Sequence, residues 1–317
     1  MVASDPNLAE MKAARLHTFG GPEVILIEDV PRPIPGAGEI LVRVVAAGVG
    51  PWDSIIRKGD SKVAPQPPLT LGSDLSGIVE EVGPGVEGFQ KGDELYGATN
   101  PQFCGANAEY AIASSGMITT KPQQLSYVEA ASAPVVAVTA WQMLFDYGDA
   151  KQNQTVLILG AAGNVGAYAV QLAAQAGLHV NAVAKSEDVE FVQSLGAETV
   201  IDYRARRFED VISSVDLVLD LVGGDPRDRA ARRLRAGGTL VSVVSSGSMP
   251  TRSDVHSVFF YVEVTTERLN KISALFNRGT LVPQVGTVLP LEETRIAHEM
   301  LAGAPHKRGK IVLEIAA

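Results

Sequence analysis

Apolar and polar residues alternate in short runs through the first third of the chain. Examples are EILVRVVAAGV (39–49), LSGIVEEVG (75–83) and ELYGATN (94–100). Turn-forming clusters separate them, among them PIPGAG (33–38), GPGVEG (83–88) and KGD (91–93). Many short strands at this spacing predict an irregular β-barrel or a partly open sandwich. The pattern changes near Lys121–Pro122, and SYVEAASAPVVAVTAWQMLFDYG (126–148) has helical periodicity. Beyond it, apolar strands alternate with helices. TVLILG (155–160) precedes a helix at about 164–177, and HVNAVA (179–184) precedes one at about 187–195. ETVIDY (198–203) and VDLVLDLVG (215–223) each precede a short helix, and TLVSVVSS (239–246) and VFFYVEVT (258–265) complete the series. Near-continuous apolar strands separated by helices predict a parallel sheet covered on both faces, a doubly wound nucleotide-binding plan.

The last fifty residues hold a helix-like ERLNKISALFNRG (267–279), PQVGTVLPL, a helix near 292–302 and a closing strand, KIVLEI (310–315). That strand can rejoin the amino-terminal barrel. The expected plan is a discontinuous first domain, 1–122 with 266–317, and a cofactor domain at 123–265. Alternation in VFFYVEVT places Phe259, Tyr261 and Glu263 on one face and Val258, Phe260, Val262 and Val264 on the other. As the last strand of an open sheet it would be an exposed edge, and edge-to-edge pairing of two copies predicts a symmetric homodimer.

The first strand of the doubly wound half runs into a small-residue turn, VLILGAAGNVGAYAVQLA (156–173). Gly160 ends the strand, Gly163 admits close approach of a pyrophosphate, and Gly166 lets the helix seat on the sheet. Ala162, Asn164 and Val165 complete a loop whose free N–H groups and helix dipole favour an anion. The first two glycines are spaced differently from the usual G-x-G-x-x-G. About twenty positions on, a site for NAD offers an acid to the ribose 2′-hydroxyl. Here the second strand ends in Ala184-Lys185-Ser186. An ammonium and a hydroxyl hold a 2′-phosphate that a carboxylate would repel, so NADP(H) is expected. Glu187 and Asp188 come next and dilute the basic character, and are read as the start of the next helix.

Bulk properties narrow the classes. At 317 residues, 46% hydrophobic and 20% charged, the chain can bury a substantial core in one large or two moderate domains. A net charge of -9 argues against nucleic-acid or anionic-membrane partners. One cysteine, Cys104, excludes an intramolecular disulfide framework and is read as a small, buried or half-buried thiol. No apolar run approaches the ~18 residues of a membrane helix, and the polar first ten residues do not resemble a signal peptide. A cytoplasmic location is expected.

By its order of motifs, the chain resembles the medium-chain dehydrogenase/reductase superfamily, and specifically its zinc-free quinone oxidoreductase (zeta-crystallin-like) branch. The resemblance rests on AAGVGPWDSIIRKG (46–59), PPLTLGSDLSGIVEEVG (67–83), GANAEYAIA (105–113), VTAWQML (138–144), LGAAGNVG (159–166), LGAETVIDYR (195–204) and RGKIVLEI (308–315). It implies an α/β fold, a GroES-like β-barrel domain plus a Rossmann domain, with the active-site cleft between them. It also implies roles for single residues. Thr139 corresponds to a residue beside the nicotinamide, and Tyr203 to a contact with the 2′-phosphate or adenosine ribose. The loops at 221–224, with Val222, and 245–248, with Ser245 and Ser246, border the nicotinamide half. Lys310 matches a basic position that contacts the cofactor in some relatives. Relatives often carry a lysine where this chain has Asp188, so either Lys185 takes that role or the NADP preference is weaker.

Zinc-dependent relatives place a cysteine where this chain has Gly50-Pro51-Trp52-Asp53, and His-Glu where it has Ser73-Asp74. A catalytic zinc needs three protein ligands. Cys104 and His17, His179, His256, His298 and His306 offer no such spacing, and the histidines are read as surface or loop residues. No metal is expected. Without a Lewis acid an alkoxide lacks its main stabiliser, which leaves reduction of an acceptor that is already electrophilic, a quinone or an α,β-unsaturated carbonyl. The substrate loop departs from the branch: Gly50 replaces a common asparagine, and Ile55 and Ile56 stand where a tyrosine often follows. Trp52 is either core or an aromatic wall of the site. Asp53 is read as a loop anchor in preference to an acid catalyst. Two other readings stay open, a non-catalytic NADPH-binding protein on the same fold and an alcohol dehydrogenase.

Overall fold

A computed structural model describes residues 9–244, 249–250 and 252–315. They form two compact units, one running to Val135 and resuming at Val264, the other spanning Val136–Glu263. In chain order the first unit contributes β1 (Glu10–Leu16), β2 (Leu26–Pro31), β3 (Glu39–Val49), α1 (Pro51–Lys58), β4 (Leu69–Thr70), β5 (Asp74–Val82), β6 (Glu94–Ala98), β7 (Tyr110–Ser114), β8 (Ile118–Thr120) and α2 (Tyr127–Ala131). Helix α3 (Pro134–Trp141) crosses the boundary and continues as a π-helical turn at Gln142–Asp146. The second unit contributes β9 (Thr155–Leu159), α4 (Asn164–Gln175), β10 (His179–Ala184), α5 (Val189–Ser194), β11 (Thr199–Asp202), β12 (Val215–Asp220), α6 (Gly224–Ala231), β13 (Leu234–Ser242) and β14 (His256–Phe259). The chain then returns with α7 (Thr266–Asn277), β15 (Val285–Pro290), α8 (Thr294–Leu301) and β16 (Lys310–Glu314).

The first unit is β-rich. A seven-stranded sheet runs β15-β16-β3-β5-β6-β8, with β7 also paired to β3, beside a three-stranded sheet β2-β1-β4. The closing strand β16 lies antiparallel to β3, with Ile311 opposite Val49 and Glu314 opposite Ala46. The carboxyl-terminal segment thus rejoins the amino-terminal sheet, as its apolar alternation suggested. Alternate residues of β3 and β5, including Ile40, Val42, Val44, Leu75 and Val79, face one core with Leu16, Leu95 and Leu313. Residues 123–135, grouped by sequence with the cofactor domain, lie in this unit. The Val135 N–H, at the start of α3, donates to Asp74 at 3.0 Å, and helix α2 is tied down by Ser76 Oγ, which donates to the Tyr127 carbonyl at 2.6 Å. Its start arises from S-Y-V-E, a capping box in which Ser126 and Glu129 each accept the other's backbone N–H. In α7, Leu269, Ile272, Ser273 and Phe276 are buried at i, i+3, i+4 and i+7, and Thr265 caps the amino end.

The second unit is a six-stranded parallel sheet in the order β11-β10-β9-β12-β13-β14. Counted from β9, this is 3-2-1-4-5-6, the doubly wound order. Helix α4 is buried along almost its whole length, Gly166 to Ala173, which its Ala-rich composition permits. The strand expected at 258–265 is shorter than its alternation suggested and stops at Phe259. Phe260 turns inward and stacks on Tyr147 with centroids 4.4 Å apart. The Glu263 N–H donates to the Gln142 side chain at 3.0 Å, which takes a group that strand pairing would have used. Tyr261 is 73% exposed. No helix among the described residues is long and apolar enough to cross a membrane.

His298 corrects the reading of every histidine as a surface or loop residue. It lies in α8 with no exposed surface. Arg57 Nε donates to its Nδ1 at 3.1 Å, so the neutral ring carries its proton on Nε2. Burial, and then the Arg57 charge, push its pKa down to about 3 from 6.5. The unfolded chain takes up a proton below pH 6.5 that the folded chain refuses until about pH 3. Stability is therefore lost as pH falls through that window, at about 1.4 kcal/mol per pH unit for this one group. His298→Asn keeps an acceptor for Arg57 and removes the titration. Urea unfolding at pH 6.5 and 4.5 should show a shallower loss of stability in the variant; equal slopes would rule the linkage out.

Candidate functional site

In the second unit, β9 ends at Leu159 and the chain reverses at Gly160, whose φ of +77° lies in the left-handed region. A Cβ on Gly166 would stand 2.3 Å from the Gly160 carbonyl oxygen, so the helix seats on the turn only with glycine there. Gly163 is the amino-terminal cap of α4, and no side chain satisfies the cap. The N–H groups of Asn164, Val165 and Gly166 have no partner within the helix, and the dipole of a twelve-residue helix adds positive potential. Ala162 lies in the turn just before them. Such a helix start offers backbone N–H groups and positive potential to an anion.

The neighbouring corner is formed by the ends of β10 and β11. Ala184 pairs with Asp202, and the Tyr203 N–H donates to the Ala184 carbonyl at 3.2 Å. Lys185, Ser186 and Tyr203 are all exposed at this edge. The sequence reading missed two charged groups here. Arg204 stands with its guanidinium 5.9 Å from the Tyr203 ring centre and 3.5 Å from Glu187. Asp202 accepts a hydrogen bond from Ser186 Oγ at 2.6 Å. Both lie in V-I-D-Y-R, where only Tyr203 carries a family role.

At the end of β12, Asp220 is fully buried and organises the next loop. Its Oδ1 accepts the N–H groups of Val222 (3.1 Å) and Gly223 (2.8 Å), and Ser242 Oγ donates to its Oδ2 at 2.7 Å. Val222 is thereby held out on the surface of the unit, half exposed. An acid just before L-V-G-G was the available signal for this role. Thr139 is buried in α3, one turn before the π-helical segment. Ser245 and Ser246 lie outside the described residues.

The first unit carries the loop with Trp52 and Asp53. Gly50 caps α1, Pro51 starts it, and the Gly50 N–H donates to Asp53 Oδ2 at 2.7 Å. Asp53 is wholly buried. Burial outweighs the Gly50 hydrogen bond and the nearby Lys310, and raises its carboxyl to about 7. Trp52 donates from Nε1 to Ser73 Oγ at 2.8 Å, and the Lys310 ammonium sits 4.0 Å from its ring centre. Lys310 is itself buried and paired with Asp74 at 2.8 Å. Lys310 is thus engaged within the first unit by Asp74 and Trp52. A Cβ on Gly50 would meet the Trp52 ring at 2.3 Å. The indole at 52 thus occupies the space that a side chain at 50 would need. Cys104 is half-buried, and burial pushes its thiol up to about 11. Among the described residues no group of three or more His, Cys, Asp or Glu side chains is placed to hold a metal ion.

A 3-2-1-4-5-6 parallel sheet, with a glycine turn and an uncapped helix after its first strand, is the doubly wound plan of a dinucleotide-binding unit. Two family models match, an alcohol dehydrogenase GroES-like domain over residues 36–145 and a zinc-binding dehydrogenase over 195–313. The chain is similar to the quinone oxidoreductase of Sus scrofa, 32% identical over 96% of this chain and 97% of that one. The chain belongs to the quinone oxidoreductase family of the medium-chain dehydrogenase/reductase superfamily. Among solved structures it resembles the quinone oxidoreductase of Coxiella burnetii, with a TM-score of 0.89, 34% identity and coverage of 96% and 99%. It also resembles the CurK enoyl reductase, with a TM-score of 0.87, 25% identity and coverage of 97% and 100%.

The coupling of Gly50 to Trp52 is measurable. Gly50→Ala should cost about 1–3 kcal/mol, because the added methyl displaces a ring pinned by Ser73 and Lys310. In a Trp52→Ala background the same change should cost less than ~1 kcal/mol. Denaturant unfolding of the four proteins closes the cycle, and additive costs would contradict the steric link.

Proposed function

We propose that the protein is an NADPH-dependent, zinc-independent oxidoreductase that reduces a quinone or an α,β-unsaturated carbonyl. The observation that carries this reading is the loop at 50–53. There Gly50 has no side chain, Asp74 is paired with Lys310, and an indole fills the adjoining space. Those residues do not fit a zinc ion, which needs three thiolate, imidazole or carboxylate ligands free to converge. Alcohol dehydrogenation would then lack its Lewis acid, whereas an electrophilic acceptor needs none. The family relatives named quinone oxidoreductase and enoyl reductase support the same two acceptor classes.

The residues of the second unit fit a nicotinamide dinucleotide. The N–H groups at 164–166 would hold the pyrophosphate, and Lys185, Arg204 and Tyr203 would face a 2′-phosphate. Thr139 and Val222 take the nicotinamide half by family position, and Asp220 holds the Val222 loop. When bound, the reduced nicotinamide supplies the hydride. The protein's part is to orient the acceptor, exclude water and present hydrogen-bond donors to the oxygen that gains charge. Asp53 secures the start of α1 through the Gly50 N–H, and Trp52 gives the substrate loop a fixed aromatic surface. Water is the proton source.

Absorbance at the NADPH band, followed with ortho- and para-quinones, 2-alkenals and enones, tests the assignment. At least one acceptor class should be reduced with a higher kcat/KM for NADPH than for NADH. Binding of NADPH without oxidation by any acceptor would favour a non-catalytic role, and equal use of the two donors would remove the NADPH preference.

The homodimer is proposed on the position of β14, the outermost strand of the six-stranded sheet. Light scattering should give twice the chain mass, and a monomer at micromolar concentration would exclude it.

A further inference from the structure

The second strand of the sheet ends without the acid that normally reads the adenosine ribose, yet a carboxylate stands at that corner. Parallel pairing aligns Ala184, the last residue of β10, with Asp202, the last residue of β11. The two strands therefore finish at one level, on the carboxyl edge where dinucleotides bind. Asp202 is only partly buried there and its geometry is fixed from both sides. Ser186 Oγ donates to Oδ2 at 2.6 Å, and the Arg204 N–H donates to Oδ1 at 2.9 Å. The Ser186 hydrogen bond, followed by that of Arg204, holds the carboxyl below its ordinary range, so it is ionised at neutral pH.

The surrounding charge is mixed. Lys185 and Arg204 are positive, and Glu187, Asp188 and Asp202 are negative. Arg204 already faces Glu187 at 3.5 Å. Such a corner does not present the undivided basic surface that a doubly charged 2′-phosphate prefers. It does present a fixed acceptor for a hydroxyl group.

We propose that Asp202 is a specificity-determining residue of the adenosine ribose subsite, supplying from the third strand the carboxylate that the second strand lacks. It accepts the ribose 2′-hydroxyl of NAD(H) and opposes the 2′-phosphate of NADP(H). Lys185 and Arg204 pull the other way, so the chain uses both cofactors and favours NADPH by a modest margin. Ser186 is a positioning residue that orients Asp202. The inference rests on the dinucleotide assignment above and not on the direction of the wild-type preference.

Calorimetric titration of the full chain with NADP+ and with NAD+ tests this without turnover. In Asp202→Asn the ratio of the two dissociation constants should move about tenfold toward NADP+, with NADP+ binding tighter and NAD+ weaker. Ser186→Ala should move it the same way by a smaller factor. The KM ratio for NADPH and NADH should shift in parallel. A ratio within twofold of wild type in both variants, or parallel weakening of both cofactors, would overturn the proposal in favour of a purely structural Ser186–Asp202 contact. The variants are compared by thermal unfolding, and Ser186→Ala decides the matter if Asp202→Asn unfolds. Wild type binding NAD+ more tightly, with the variant still shifted, would instead overturn the NADPH assignment and leave Asp202 in place. Failure of both dinucleotides to bind would overturn the two together.

Discussion

The first unit is locked where the Lys310 ammonium lies buried between the Asp74 carboxylate and the Trp52 indole. Lys310 begins the last strand and Asp74 begins β5, 236 positions earlier in the chain. A buried ion pair of this kind contributes little net stability, because desolvating both charges offsets most of their attraction. Removing one partner is a different matter, since the remaining charge is left in a dry interior. The pair is therefore a strong constraint on where β16 docks, and with it on the return of the chain to the first sheet.

The same pair shapes the loop at 50–53. Trp52 has a cation beneath its ring, an acceptor for its N–H in Ser73, and a neighbour without a side chain in Gly50. Three short-range conditions hold one large side chain in one place. Asp53 beneath it holds the helix start, and burial raises it to about 7, so this anchor titrates near neutral pH. The second unit works by different means. Its turn after β9 offers backbone N–H groups at the start of α4, and charged side chains stand at the ends of β10 and β11.

Most of the architecture could be read from periodicity. The run at 39–49 matches β3 residue for residue, and the strand–turn–helix at 155–175 appears as β9 and α4. Where periodicity misleads, the cause is tertiary competition for backbone groups. VFFYVEVT alternates like a strand to its end, yet the Phe260–Tyr147 stack and the Gln142 side chain draw the chain out of the ladder after Phe259. His298 carries no local mark of burial, because its partner Arg57 lies far away in sequence. Residues 123–135 share the helical pattern of the segment after them, but their hydrogen bonds to Ser76 and Asp74 tie them to the sheet before them.

The class of cofactor was legible in the chain alone, because a glycine turn between an apolar strand and an apolar helix has few physical uses. So was the lack of zinc ligands at the family positions, since Gly50 and Ser73 are read directly. The distribution of charge around the ends of β10 and β11 was not, and it took the folded chain to reveal it. Asp202 and Ser186 are sixteen residues apart, and the register of two parallel strands makes them neighbours. The steric dependence of Trp52 on Gly50 likewise emerged only from the fold. Contacts set by strand register and by ring placement depend on where other elements pack, and no local pattern encodes them.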